Sequence, residues 1–123
     1  MARTELEVRT KKFALDLIDL VERLPVGRAG DVVGRQLLRS GTSIGANYRE
    51  ANRAESKNDF IHKVSISTKE AAETEFWLEL VTESEHLETI GSSDVLSESR
   101  ELLAILTTIG RNTKAGKAET AEK

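Results

Sequence analysis

The sequence predicts an all-α protein, an antiparallel up-down-up-down four-helix bundle that forms one domain over residues 1–110. Composition is the first indication, because 32% of the 123 residues are charged and 38% are hydrophobic, with a single proline. This balance is typical of leucine-rich helices with charged surfaces. Apolar residues also recur at spacings of three, four and seven, which is the period of a helix face. Short turns separate four such segments, and short turns favour antiparallel neighbours.

Helices 1 and 2 are predicted from two apolar stripes separated by a turn. Helix 1 is expected over residues 4–23, with one stripe at about 100° per residue formed by Leu6, Phe13, Leu17, Leu20 and Leu24. The segment 24–30 holds the only proline and two glycines, so the chain turns there. Helix 2 is expected over residues 29–52, with a core face formed by Val33, Leu37, Ile44, Tyr48 and Ala51.

Helices 3 and 4 are predicted from a capping sequence and a second turn. Helix 3 is expected over residues 56–87, because the Ser56 hydroxyl can accept the backbone N–H of Asp59 at the helix start. A turn at 89–94 then precedes helix 4, expected over residues 93–110. Residues 111–123 lack an apolar stripe and cannot bury enough surface to offset the entropy of ordering. They are predicted to be a disordered polar tail.

Helix 3 has more apolar faces than one bundle core can bury. At about 100° per residue its apolar side chains fall on three faces: Phe60, Val64, Ala71 and Leu78; Ile61, Ala72, Phe76, Leu80 and Leu87; Ile66, Trp77 and Val81. Either some of them are singly exposed, which is normal, or one face forms a contact between subunits. We expect the subunit contact, and assign Ile66, Trp77 and Val81 to it.

Three glycines lie along one edge of the core face of helix 2. Gly34, Gly41 and Gly45 each cost about 1 kcal/mol relative to alanine inside a helix, so a compensating contact is expected. Close approach of another helix would supply it, either within the bundle or between subunits. We place these glycines in the hypothetical oligomer interface together with the helix 3 residues.

A line of arginines follows the opposite face of helix 2. Its members lie within about 80° of one another and span roughly 38 Å at 1.5 Å per residue; they are Arg28, Arg35, Arg39, Arg49 and Arg53. One interpretation is ion pairing with nearby acidic residues, including Glu73 across helices. The other is contact with nucleic acid, because the guanidinium fork suits phosphate oxygens. The net charge of −3 gives no independent support to the second interpretation.

Catalytic, metal and membrane functions find little support in the sequence. With no cysteine there is no thiolate chemistry or disulfide, and two Asp/Glu-x-x-His pairs, at His62 and His86, lie 24 residues apart on one predicted helix. That is roughly 36 Å, too far for one dinuclear metal site. No apolar run approaches the ~20 residues of a membrane span. We therefore expect a soluble cytoplasmic protein that is not an enzyme and has no cofactor or small-molecule substrate.

The ordered motifs of this chain resemble those of a known family. They are Leu24-Pro25, Arg35-Gln-Leu-Leu-Arg-Ser-Gly-Thr-Ser-Ile-Gly-Ala-Asn-Tyr-Arg-Glu50, Glu55-Ser-Lys-Asn-Asp-Phe-Ile61 and Lys69-Glu-Ala-Ala-Glu-Thr-Glu-Phe-Trp-Leu78. The chain resembles the four-helix-bundle proteins encoded by 23S rRNA intervening sequences over about residues 10–110. The resemblance implies a ring-like homopentamer, and a distant similarity to the accessory protein of diversity-generating retroelements, a pentamer that binds nucleic acid and a reverse transcriptase.

Two functional hypotheses follow from the residues and the resemblance. The first is an oligomer that binds RNA, or a nucleic-acid-processing protein, through the arginines of helix 2. The second is a protein-interaction scaffold with no nucleic-acid contact, in which those arginines only form salt bridges. The family has no established molecular role to decide between them. A ligand held in a central channel is a weaker idea, because no polar residues converge there.

Overall fold

The computed structural model describes residues 1–122, with side chains for residues 1–116, and this part of the chain forms four helices and no strand. The helices are α1 (Arg3–Glu22), α2 (Arg28–Asn52), α3 (Lys57–Glu83) and α4 (Ser92–Glu122). The all-α class is confirmed, and the arrangement is consistent with a four-helix bundle. No helix in the described part of the chain is both long and apolar enough to cross a membrane.

The helices pack around a large apolar core and a second, smaller cluster of buried residues. Each helix packs against the next along the chain, and α4 also packs against α1, whereas no Cα atom of α1 lies within 8 Å of one of α3 in the described residues. Burying one large aliphatic or aromatic side chain stabilises the fold by about 1.5–3 kcal/mol. The predicted core residues of the first two helices are confirmed, since all of them are buried: Leu6, Phe13, Leu17, Leu20, Leu24, Val33, Leu37, Ile44, Tyr48 and Ala51.

The glycine edge of α2 faces α1 of the same chain. A Cβ atom added at Gly45 would lie 3.0 Å from Thr10 Oγ1, and one added at Gly34 would lie 3.1 Å from Val21 Cγ1. At Gly41 an added Cβ would overlap the fully buried side chain of Leu17. The space over the glycines is therefore already filled by α1. Their predicted place in an oligomer interface is wrong, because a residue buried under its own chain cannot contact a second subunit.

Hydroxyl groups line the contact between α2 and α3. Ser67 Oγ donates a 2.7 Å hydrogen bond to the Ile44 carbonyl, and Thr74 Oγ1 lies 2.9 Å from Ser40 Oγ; both contacts are buried. Because a buried hydroxyl without a partner is unfavourable, these bonds fix the register of the two helices. Residue numbers rise along α3 as they fall along α2.

The two ends of α3 differ in how well they follow the prediction. At its start, Ser56 Oγ accepts the N–H of Asp59 at 3.0 Å, as predicted. Its end is at Glu83, four residues before the predicted end, because Ser84 adopts an extended backbone. The Ser84 carbonyl accepts the N–H of Leu87, and this tight turn returns Leu87 to the core with 5% exposure. Apolar spacing alone could not separate this turn from a further helical turn.

Helix α4 is longer than predicted. It continues to Glu122, so the predicted disorder is wrong for residues 111–116, and Lys123 lies outside the described residues. Ile109 packs on the cluster formed by Ala51, Phe60 and Val64, which anchors this part of α4. Once a helix is anchored, each added residue forms another backbone hydrogen bond without repeating the cost of nucleation. The helix can therefore extend beyond its last apolar residue.

An ion-pair cluster links α1 to α4. The Arg9 guanidinium donates hydrogen bonds of 2.7 and 2.6 Å to the two Glu98 carboxylate oxygens and a further bond to Glu101. Bidentate geometry of this kind is stronger than a simple surface pair. The hydrogen bond from Arg9 lowers the pKa of the Glu98 carboxyl below its ordinary value of 4.5. Protonation of Glu98 therefore weakens the contact between these two helices.

The lowered pKa of Glu98 predicts a specific acid sensitivity. Its contribution to stability is present above the ordinary pKa of 4.5 and is lost as the pH falls through the lower pKa of the folded state. Urea unfolding at neutral pH and at about pH 3 should show a smaller loss of unfolding free energy in Glu98→Gln than in the wild type. Glu55→Gln removes an exposed carboxylate with no ion-pair partner among the described side chains and is the control. An equal loss in Glu98→Gln and the wild type would contradict the prediction.

The space around Gly41 and around Gly110 predicts that changing each glycine to alanine has the opposite effect on stability. Gly41→Ala should lower the unfolding free energy by about 1–2 kcal/mol, because overpacking against Leu17 outweighs the gain in helix propensity. Gly110→Ala should raise it by up to about 1 kcal/mol, because its Cβ would sit in ordinary contact, 3.7 Å from Val64 Cγ1. Denaturant unfolding monitored by circular dichroism tests both. A stabilised Gly41→Ala would show that α1 does not press on this glycine.

Candidate functional site

The outer face of α2 is the candidate nucleic-acid interface. Every predicted arginine of this face is exposed: Arg28, Arg35, Arg39, Arg49 and Arg53. The structure places them on the side of α2 opposite its buried stripe, as helical spacing requires. They differ, however, in whether an acidic side chain neutralises them.

Two of the five arginines are held in ion pairs. Arg39 contacts Glu70 at 3.3 Å and also pairs with Glu73, both on α3. Arg49 Nε lies 3.7 Å from Glu7 on α1. The prediction that Glu73 pairs with an arginine across helices is confirmed. Because exposed pairs of this kind contribute about 0–1 kcal/mol, they tether the arginines more than they stabilise the fold.

The other three arginines have no acidic partner among the described side chains. Arg28 and Arg35 lie in the first third of α2, and Arg53 follows its last residue. Each keeps a full guanidinium fork available for an external acceptor. The exposed basic face is therefore divided into two free sites, one near each end of α2.

The charged residues of the chain are strongly separated along the bundle. The contacts between helices place residues 1–12, 43–69 and 105–116 together, and this basic half has eleven Lys and Arg against five Asp and Glu, a net charge of +6. The acidic half, residues 13–42 and 70–104, has five Lys and Arg against fourteen Asp and Glu, a net charge of −9. Sequence reasoning missed this separation because it used the net charge of the chain. The signal was the dense acidic run from residue 70 to residue 101.

A cleft opens at the end of the basic half. It has a volume of about 710 Å³ and lies between the start of α1, the α2–α3 turn and the C-terminal part of α4. Ala51, Phe60 and Ile109 supply apolar lining, and Arg3 and Lys57 are exposed residues at its edge. Sequence reasoning missed this cleft, because it is formed by chain segments from all four helices.

The predicted subunit-contact residues of α3 are not equally accessible. Val81 is completely buried in the core, so its assignment to an interface is wrong. Ile66 and Trp77 are partly buried. Phe76 and Leu80 are the large apolar residues that α3 exposes, at 51% and 37%.

An aromatic pair makes part of this α3 surface rigid. The rings of Phe76 and Trp77 meet edge to face, with centroids 5.1 Å apart and an interplanar angle of 71°. Trp77 Nε1 also donates a 3.3 Å hydrogen bond to Glu73, the acid that pairs with Arg39. Such aromatic pairs are favourable beyond their buried area. The α3 apolar face, defined as Phe76, Trp77 and Leu80, is therefore a fixed surface.

A second exposed apolar face lies on α1, and sequence reasoning missed it. Val8, Leu15 and Ile18 are 63%, 54% and 40% exposed. Their spacings of seven and three place them on the outer side of the helix, away from its core stripe. That spacing was visible in the sequence as a second apolar stripe. We call these three residues the α1 apolar face.

Metal-binding side chains do not cluster within the part of the structure that has side chains. No group of three or more His, Cys, Asp or Glu residues there could hold a metal ion. His62 and His86 are both exposed, and they lie on α3 and in the turn that follows it.

The comparisons with known proteins identify a family and a similar solved structure. The family model of the 23S rRNA-intervening sequence protein matches residues 4–108. A comparison with curated proteins found no match. The chain is similar to the crystal structure of a protein of unknown function from the S23 ribosomal protein family of Bacteroides thetaiotaomicron VPI-5482, with a TM-score of 0.78 and 36% sequence identity. That similarity covers 90% of this chain and 99% of the other.

Proposed function

We propose that this chain, which belongs to the 23S rRNA-intervening sequence protein family, is a non-enzymatic cytoplasmic protein that assembles into an oligomer and binds nucleic acid, RNA in particular. The observation that carries the binding role is the set of unpaired arginines on the outer face of α2, Arg28, Arg35 and Arg53. A guanidinium without an internal partner is suited to bidentate contact with phosphate oxygens. These arginines are suited to binding an anion. Nucleophilic catalysis would need a nucleophile beside a general base, and the arginines of this face have no such pair next to them in the described part of the chain.

The proposed assembly is a ring-like homopentamer of antiparallel up-down-up-down bundles. The order of contacts supports the antiparallel arrangement, because Thr10 lies beside Gly45 while Val21 lies beside Gly34. A closed ring needs two different patches on each subunit, each contacting a different neighbour. The α1 and α3 apolar faces fit this need, since they are exposed and lie on helices whose Cα atoms stay more than 8 Å apart within one chain. The number of five subunits rests on the family resemblance.

A second candidate function is a protein-interaction scaffold without nucleic-acid contact. The acidic half, with its net charge of −9, favours it, because that surface would repel phosphate and attract a basic partner. In this alternative Arg39 and Arg49 act only in the ion pairs they already make. The two candidates differ in whether salt-dependent RNA binding exists at all.

The nucleic-acid role predicts a steep dependence of RNA affinity on salt. Wild-type protein should bind labelled single-stranded RNA, and Arg28→Glu/Arg35→Glu/Arg53→Glu should reduce the magnitude of the log–log salt slope by about 2. The control Arg28→Lys/Arg35→Lys/Arg53→Lys keeps the charge and should keep most of that slope. Fluorescence anisotropy at several salt concentrations measures both. Unchanged binding by the glutamate variant would remove the α2 face from the proposal, and no binding by the wild type would favour the scaffold.

The ring assembly predicts that either apolar face is essential. Leu15→Glu and Phe76→Glu should each lower the molar mass measured by light scattering, because a charge at either face leaves an unpaired ion in an apolar contact. Val26→Glu and Ile90→Glu are matched controls, since these residues are 104% and 89% exposed in turns outside both faces. Both controls should keep the wild-type mass. An intact oligomer in Leu15→Glu and Phe76→Glu would refute the proposed interface.

A further inference from the structure

The two charged halves would act differently on a nucleic acid lying against the bundle. Helix α2 has 25 residues, about 38 Å at 1.5 Å per residue, whereas exposed charges are screened beyond about 8–10 Å in physiological salt. A phosphate near the C-terminal end of α2 therefore interacts with the charges of the basic half and only weakly with those of the acidic half. Arg28 and Arg35 lie in the acidic half, where a polyanion would also meet the carboxylates of α3.

Three free cations of the basic half lie at the cleft. Arg3 and Lys57 line it, and Arg53 lies in the α2–α3 turn between the lining residues Asn52 and Ala54. The Arg3 guanidinium stands 4.9 Å from the centroid of the Phe60 ring, as in a cation–π contact. Among the described side chains no carboxylate pairs with Arg3, Arg53 or Lys57. Glu55 is the one carboxylate among the described residues that line the cleft, so phosphates at its entrance would meet three cations against one acid, a net positive charge.

The cleft itself has the size and lining that a planar heterocycle needs. Its volume of about 710 Å³ falls within the range of ligand sites. Ala51 and Phe60 are 1% and 9% exposed and Arg3 lies over the Phe60 ring, so the Arg3 guanidinium plane and Ile109 are the groups that can take the faces of a base. Polar groups stand beside it, since Asn52, Asn112 and Thr113 also line the cleft.

Asn52 adds an unused acceptor to this site. Its Nδ2 donates a 2.9 Å hydrogen bond to Glu7, while its Oδ1 is buried with no hydrogen-bond partner. A buried acceptor left unpaired is unfavourable. A ligand carrying an N–H donor could satisfy it after a small movement of this side chain, and nucleobases carry such donors on their exposed edges.

We propose that the cleft binds one unpaired nucleobase of a single-stranded nucleic acid, with the flanking phosphates held by Arg3, Arg53 and Lys57. This proposal rests on the proposed nucleic-acid function and places its main contact in the basic half. Single strands are the fitting class, because their bases can leave the stack and enter a pocket, whereas duplex bases are paired. The nucleic acid then binds at the end of the bundle, and the acidic half faces away from it.

The first experiment locates the charges that bind. Labelled single-stranded RNA is titrated into full-length wild type, Arg53→Glu/Lys57→Glu and Arg23→Glu/Arg100→Glu, two exposed cations of the acidic half outside the proposed binding residues, with circular dichroism to verify folding. The two variants change the net charge equally. We expect the first to bind at least about tenfold more weakly and the second to stay within about twofold of the wild type. Equal weakening, or the reverse order, would overturn the placement of the site, whereas no binding by the wild type would instead remove the proposed function.

The second experiment asks whether a base enters the cleft. The same RNA length is compared with an abasic backbone and with a duplex, and Asn112→Trp fills the cleft from an exposed position of α4. Thr108→Trp, exposed on the same helix and outside the lining, is the control. We expect the abasic strand, the duplex and Asn112→Trp each to lose about fivefold or more in affinity, with Thr108→Trp unchanged. Equal affinity for the intact and abasic strands would show that only phosphates bind.

Discussion

The close approach of α1 to α2 is the constraint on which the surfaces of this protein depend. Three positions of α2 carry no side chain where α1 crosses it, and Leu17, Val21 and Thr10 fill that space. Because α1 packs so closely on α2, all of the few apolar residues in its core stripe are buried. The opposite side of α1 then remains free, and it carries Val8, Leu15 and Ile18 to the surface.

As a result, helix α2 has four sides, and each side has different surroundings. One side meets α1 over glycine, one side is the apolar core, and one side meets α3 through buried hydroxyls such as Ser40. Only the fourth side reaches solvent, and it carries the arginines. Since glycine and serine are poorer helix formers than alanine, α2 depends on its neighbours for stability. The basic face is therefore presented by a helix that is fixed on three sides.

Sequence periodicity predicted what lies inside this molecule better than what lies on it. The core stripes of α1 and α2 and the Ser56 cap followed directly from helical spacing. Spacing could not decide whether the glycines face a helix of the same chain or another subunit, because both give the same pattern. It also placed Val81 and Phe76 on equivalent apolar faces, although one is completely buried and the other is 51% exposed. That difference depends on the crossing of α3 with its neighbours, which no local pattern contains.

The charge separation changes what the acidic composition of the chain means. A net charge of −3 describes the field only at distances where the whole molecule acts as one charge. At contact distance a ligand responds to groups within about one screening length, 8–10 Å, and the basic half is longer than that along the bundle. A chain with an acidic isoelectric point can thus have a half whose formal net charge is +6 over all its sides, even though Arg9 and Lys12 of that half pair with acids of the other. The acidic half then contributes orientation, because a bundle that approaches phosphate by its acidic end is repelled and one that approaches by its basic end is attracted.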